Sequence, residues 1–289
     1  MLVRVRPATP EDVDFLIQAY EQAYRGGYSA CFDRYGAIGP EDFWWVQSEK
    51  SVSVIEIDRA PAGLLVLGKD RTQMLVEELL LAGSPRRRAS ARDGSVAARL
   101  YDYIAGEFKR ARQDRILLRA AETNAAALTV AEEFGFSFFN ALVVGAGATR
   151  QDTTAPAGYS IRRTSPDDAR QVAKLTAELG IAPSGLRRSK PRKGDASPAV
   201  WIAERDRYAA GFAEARIRDG VGWWSVAVRE AHQGKGLGRA LAAAAVEFCQ
   251  GRHVKPIALY WALDPGASRL AQGLGATTER TYLYLQKNL

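Results

Sequence analysis

The segment Gln233-Gly234-Lys235-Gly236-Leu237-Gly238-Arg239 places glycines at alternate positions between two apolar stretches. The run before it, Val226-Ala227-Val228, reads as a strand, and the stretch from Gly236 to Gln250 reads as a helix. A strand that enters a glycine-rich turn and opens a helix is a seat for an anion. The first amides of a helix have no internal partner, and the helix dipole adds partial positive charge there. Glycine permits the left-handed backbone and the close approach such a seat needs. Lys235 and Arg239 add full charges beside it. Two other phosphate loops do not fit. A P-loop ends in Gly-Lys-Ser/Thr, whereas Gly234-Lys235 is followed by Gly236. A dinucleotide fingerprint follows the first strand of a parallel unit, whereas several antiparallel-looking strands come first here. On the glycines alone, a purely structural turn remains open.

Other chemistries are poorly supplied. The chain has two histidines, His232 and His253, and two cysteines, Cys31 and Cys249. These give no zinc spacing, no disulfide framework and no His-based triad, so no metal is expected. Cys249 falls on the apolar side of its helix, where an inert buried thiol is expected. The net charge of +7, from 40 Lys+Arg against 33 Asp+Glu, suits an acidic partner such as a polyphosphate. It equally suits an arginine-rich solvated surface. No nucleic-acid module or aromatic interleaving accompanies the charge, so nucleic acid is not expected as a partner. The first residues lack the form of a signal peptide, and no stretch is long and apolar enough to span a bilayer. A cytoplasmic location without membrane attachment is the expectation.

The elements that must position the turn occur twice. The 289 residues, 47% of them hydrophobic, suffice for two domains with separate cores. Val5-Arg6-Pro7-Ala8-Thr9-Pro10-Glu11-Asp12 matches Ile161-Arg162-Arg163-Thr164-Ser165-Pro166-Asp167-Asp168 as a strand running into a capped helix start. Asn124, Ala127 and Gly135 have the same mutual spacing as Asp264, Ala267 and Gly275. Each set follows a short apolar run, and each run follows an amphipathic helix, striped by Leu100, Ile104 and Phe108 or by Leu237, Leu241 and Phe248. The pattern predicts a duplication. The first copy spans residues 1–147, a polar linker covers 148–158, and the second copy spans 159–289. Helices are predicted at Pro10–Arg25, Pro40–Glu49, Gly94–Arg112, Asn124–Glu133, Pro166–Leu179, Gly236–Gln250 and after Asp264. Strands between them give an α+β fold with a mixed sheet.

Gln233, Gly236 and Gly238 occupy the fixed positions of Gln/Arg-x-x-Gly-x-Gly/Ala, and the segment resembles the coenzyme A loop of the GNAT superfamily of N-acyltransferases. The resemblance implies two tandem GNAT-like domains, each a central, mostly antiparallel sheet flanked by helices. It implies acetyl-CoA, or another acyl-CoA, held by Gln233, Gly234, Lys235, Gly236, Leu237, Gly238 and Arg239. Val226, Ala227 and Val228 would form the splayed fourth strand that pairs with the pantetheine arm. Asp264 and Ala267 stand where the family has an Asn and an Ala. In the first copy the corresponding stretch, Ala82 to Gly94, lacks the Gly-x-Gly pair and carries Arg86, Arg87 and Arg88. That copy is expected to be degenerate.

The resemblance implies direct attack of an amine on the thioester, with a base to take its proton. A main-chain amide at Val228 or its neighbour would polarise the carbonyl. Candidates for the proton chemistry are Glu214, Ser225 and Tyr260. The family's usual strand Glu is replaced by Trp224 and Ser225, and Glu77 and Glu78 fit that pattern only in the first copy. The usual Tyr that protonates the thiolate falls at Ala271, and at Ala131 in the first copy. The acceptor expected is a small-molecule amine, shaped by the basic segment Ile181–Asp195 and by Phe43-Trp44-Trp45. Acylation of a protein or peptide amine, a CoA-binding sensor without catalysis, and an aminoacyl-tRNA-dependent transferase are the competing readings. The intact CoA loop argues against the last.

Overall fold

The computed structural model describes residues 2–30, 50–70, 73–81, 96–149, 154–179, 198–218 and 220–289. The predicted helix at Pro40–Glu49, the aromatic segment at 43–45, Arg86–Arg88 and all of the 181–195 segment lie outside them. Two compact units form. One takes the described residues up to Leu142 together with Arg280–Leu289, and the other runs from Val143 to Glu279.

The first unit contains β1 (Val3–Pro7), α1 (Val13–Arg25), β2 (Ser51–Ile57), β3 (Ala60–Asp70) and β4 (Gln73–Leu81). It continues through α2 (Val96–Arg110), β5 (Arg115–Ala121), α3 (Ala125–Glu133) and most of β6 (Ser137–Ala146). The second contains β7 (Ser160–Arg163), α4 (Ala169–Glu178), β8 (Ala199–Arg205), β9 (Tyr208–Arg218) and β10 (Val221–Val228). α5 (Leu237–Gln250), β11 (Lys255–Trp261) and α6 (Pro265–Gly273) follow, and β12 (Thr277–Asn288) closes the chain.

The sequence boundary does not describe the closing strands. Strands of the first unit run β1-β2-β3-β4-β5-β12, and strands of the second run β11-β10-β9-β8-β7. β12 lies antiparallel to β5, with Tyr284 opposite Arg119 and Leu285 opposite Leu118. Arg280–Leu289, which include most of β12, thus belong to the first unit although chain order assigns them to the second copy, and β6 divides between the units after Leu142. Nothing local in the β12 sequence specifies which edge it joins.

Strand alternation divides each core into two layers. In the first unit, Leu64, Val66 and Leu80 pack against Leu16 and Tyr20 of α1. On the other face Ile55, Leu65 and Leu79 pack against Leu100, Ile104 and Phe108 of α2. In the second unit, Ile202 and Phe212 meet Leu175 of α4. Ala213, Ala215, Trp224 and Ala258 meet Leu241, Ala245 and Cys249 of α5. Cys249 is fully buried, and burial pushes its thiol up to about 11. It is inert at neutral pH. No helix among the described residues is long and apolar enough to cross a membrane.

The repeat is physical as well as textual. A short 3-10 turn, Pro10–Asp12 or Pro166–Asp168, precedes α1 and α4. Arg6 grips Asp12 through two nitrogens at 2.6 and 2.8 Å, and Arg162 grips Asp168 through two at 2.8 Å. The same carboxylates accept from the amides of Thr9 and Ser165 at 2.8 and 2.7 Å. The remaining guanidinium nitrogen bonds Glu56 in one copy and Glu204 in the other. These acids do more than complement a dipole: they tie the helix start to the edge strand. The Arg6 guanidinium holds Asp12 far below the usual carboxylate range. Asp12→Ala should destabilise the first unit by about 3 kcal/mol, because Arg6 loses its bidentate partner. Urea unfolding at pH 7 checks this. The pair's contribution is present above the ordinary carboxylate pKa and is lost as pH falls through the lowered one, so the variant's deficit should shrink in acid.

Candidate functional site

β10 and β11 begin as parallel partners, and their pairing runs from Val221↔Lys255 to Trp224↔Ala258 and stops. β10 continues to Val228, paired on its other side with β9 as far as Val228↔Gly211. Ser225–Val228 therefore have one hydrogen-bonding edge without a strand beside it. Unpaired main-chain donors and acceptors demand partners. An extended chain entering this wedge could supply them, as an added strand does.

The open edge leads directly to the glycine turn. Gly234 and Gly236 have φ of +74° and +80°, a region that disfavours side chains. Gly236 caps α5 in the left-handed conformation. A Cβ on Gly234 would meet nothing within 4 Å, and one on Gly236 would meet only Pro156, at 3.8 Å. The turn faces open space. No described residue accepts a hydrogen bond from the amides of Gly234, Lys235, Gly236, Leu237, Gly238 or Arg239. Ala240 is the first of the helix whose amide has a backbone partner, the Gly236 carbonyl at 3.2 Å. This is an uncompensated set of donors at the positive end of a 14-residue helix. Those donors fit a diphosphate.

The flanking side chains divide the work. Gln233 donates through Nε2 to the Val228 carbonyl at 3.0 Å, which locks the turn to the end of the open strand. Lys235 folds back to the Ala231 carbonyl at 3.0 Å. Arg239 lies against Gly273 of α6. Asp264 caps α6, its Oδ1 accepting from Gly266 at 2.9 Å and Ala267 at 3.0 Å. Two residues that the sequence reading missed support the turn. His232 Nδ1 is 2.9 Å from the Tyr159 hydroxyl, and the rings meet edge to face. Burial first, then Lys235, Arg205 and Arg229, keep the His232 pKa below its ordinary value. A lone histidine before a glycine turn carries no sequence signature. Its partner lies 73 residues away, so only the fold could reveal it.

The three candidates for proton chemistry do not converge. Ser225 and Glu214 are direct cross-strand partners and share a face of the sheet. Glu214 is largely buried and bonded to Arg216 Nε. Ser225 is the first residue beyond the last β10–β11 pair, at the apex of the wedge. Tyr260 lies on the opposite face. It packs with Trp224 and Ala258 in the α5 core, its ring against Gly145. Ala271 and Ala131 are both buried in their cores and offer no acid.

The corresponding place in the first unit is filled. β4 and β5 touch in parallel register at Val76↔Leu118 and then separate. Arg119 reaches the Glu77 carbonyl at 3.5 Å, and Asn124 donates to the Leu79 carbonyl at 3.0 Å. Side chains thus cover the carbonyls that the second unit leaves open.

Comparisons with known proteins bear on the family and the fold. Residues 168–275 match the family model described as the acetyltransferase (GNAT) family. No curated protein sequence matches significantly. A GCN5-related N-acetyltransferase from Sphaerobacter thermophilus is similar in structure, with a TM-score of 0.72 at 19% identity over 99% of this chain and 95% of its own. A tandem GNAT protein from the clavulanic acid biosynthesis pathway gives 0.70 at 15% identity over 99% and 98%. A GNAT-family acetyltransferase from Colwellia psychrerythraea gives 0.60 at 9% identity over 99% and 100%. Residues 168–275 thus resemble the acetyltransferase (GNAT) family by sequence, and the chain as a whole has the tandem GNAT fold.

Proposed function

We propose that the second unit transfers an acyl group, acetyl in the first instance, from acyl-CoA to an amine of a small molecule. The observation that carries this reading is the continuity of the open β10 edge with the donor-rich turn at Gly234–Arg239. The free amides would hold the diphosphate, and the edge of Ser225–Val228 would hold the amides of the pantetheine arm. Acyl-CoA supplies an activated thioester. The Val228 main chain, or its neighbour, would polarise that carbonyl.

The amine must lose a proton as it attacks. Glu214 is the carboxylate nearest the apex by strand register, and Ser225 opposite it would hold a relaying water. The Glu214 side chain is 16% exposed, which favours a slender amine on a small acceptor. With alanine at Ala271, the leaving thiolate would take its proton from solvent.

The same alanine favours one other reading, a CoA-binding sensor without turnover. Release of free thiol from acetyl-CoA across a panel of amines separates the two, since a sensor binds and releases nothing. Glu214→Gln should lower kcat about 100-fold, the usual contribution of a positioned base. Acetyl-CoA affinity measured by calorimetry should stay unchanged. An unaltered kcat removes Glu214 from the mechanism, and failure to bind acetyl-CoA at all removes the function.

A further inference from the structure

The end of the polar linker lies against the glycine turn. Residues 154–159 belong to the second unit. Gly158, at φ +80°, bends the chain so that the Tyr159 amide donates to the Pro156 carbonyl at 3.0 Å. Both ends of this small bend touch the candidate seat. Pro156 is what a Cβ on Gly236 would meet, and the Tyr159 hydroxyl is 2.9 Å from His232 Nδ1. The Arg205 guanidinium sits over the Tyr159 ring, 5.8 Å from its centroid.

His232 passes that contact to the main chain. Its amide donates to the Arg229 carbonyl at 2.8 Å, and the Gln233 amide to the Glu230 carbonyl at 3.0 Å, around the 3-10 turn Glu230–His232. The side chain of Gln233 then holds the Val228 carbonyl. Gln233–Gly236 are exposed, whereas Tyr159 and His232 are half-buried. Two of those four exposed residues are glycines in left-handed backbone. Such a turn, left unheld, samples many conformations and loses that freedom when a ligand binds. A turn fastened by Tyr159 through His232 has already lost it. The imidazole is a neutral partner at pH 7, because burial first, then Lys235, Arg205 and Arg229, oppose its protonation.

We infer that Tyr159 and His232 are positioning residues for acyl-CoA, fastening the linker to the glycine turn so that linker and ligand stabilise each other; this rests on the acyl-CoA reading of that turn. Coupling of this kind is reciprocal. If the held linker sets the donors for the diphosphate, the bound diphosphate must hold the linker in place.

Two measurements on the full chain at pH 7 test this: calorimetry with acetyl-CoA, and hydrogen exchange at the Tyr159 amide with and without acetyl-CoA. Tyr159→Phe keeps the ring and removes the hydroxyl, and should weaken binding about fivefold, the usual worth of one hydrogen bond. His232→Ala should lose at least as much. The double variant should bind no more weakly than His232→Ala, because both changes remove the same contact. His232→Asn offers an amide donor and acceptor near the place of Nδ1 and should bind like the parent. Acetyl-CoA should slow exchange at the Tyr159 amide in the parent and in His232→Asn, and leave it unchanged in Tyr159→Phe. If His232→Ala folds poorly, Tyr159→Phe and His232→Asn decide the matter. Parental affinity in Tyr159→Phe, additive losses in the double variant, no rescue by Asn, or exchange indifferent to acetyl-CoA overturns the inference, while binding by the parent keeps the acyl-CoA reading. A parent that binds no acetyl-CoA removes both.

Discussion

Gly236→Glu should weaken acetyl-CoA binding at least 100-fold in calorimetry at low salt. Two effects add. The residue sits at φ +80°, where a side chain costs about 1–2 kcal/mol. The new carboxylate would also stand among the amides of Gly234–Arg239, where the diphosphate should lie. Two like charges 4 Å apart repel by about 4 kcal/mol at an effective dielectric near 20. Gly236→Ala carries only the first effect and should lose about tenfold. Gly238 provides a second reading of the same seat. A methyl there would touch Val228 and Leu270 at 3.7 and 3.9 Å, ordinary contact distances. Gly238→Ala should therefore fold and bind, while Gly238→Glu should bind poorly. Raising ionic strength should narrow the gap between Glu and Ala variants, because the charge term is screened and the backbone term is not. Unchanged affinity in both Glu variants would remove the diphosphate from this turn.

Glu78 should make the first unit less stable as pH rises. Its folded pKa is about 7, above the ordinary 4.5. Between those values the folded state holds a proton that the unfolded chain releases, so the free energy of unfolding falls with pH. A displacement of this size is worth about 3 kcal/mol across the window, flat below pH 4 and again above pH 8. Glu78→Gln should abolish the slope, and its unfolding free energy should overtake that of the parent near pH 8. Urea titrations of both proteins at pH 5 and pH 8 measure the difference directly. His232 works with the opposite sign in the second unit, since its lowered pKa removes stability as pH falls. Comparing parent and variant cancels that contribution. Equal slopes in the two proteins would mean that Glu78 is ionised throughout.

Much of the fold was legible in residue spacing. The caps at Thr9-Pro10 and Ser165-Pro166, the apolar stripe of Leu100, Ile104 and Phe108, and the glycines before Leu237 each encode a local event with a fixed period or conformation. The turn at Gly234–Gly238 was legible for the same reason: a left-handed backbone at a helix start leaves few residue choices. The side chains around it were not. Tyr260 looks as suitable as Ser225 in the sequence, yet the pairing Trp224↔Ala258 puts it on the other face of the sheet. That register is a property of two strands, and neither carries it alone. Glu78 illustrates the reverse. As one acid of a Glu-Glu pair on an apolar strand it gave no sign of differing from Glu77. The bulge in β4, with Ser29 arriving from beyond α1, sets one acid beside Lys50 and Arg119 and buries the other against a hydroxyl.

The location of β12 has a consequence for biosynthesis. Its residues from Arg280 onward lie against β5 in the first unit, with Leu285 inside the core that holds Phe108 and Leu118. A ribosome that has released the first hundred and fifty or so residues has therefore not yet delivered the piece that seals them. Domains usually mature in order of synthesis. Here the earlier-made body stays incomplete until the residues from Arg280 onward have been made, after the bulk of the other body.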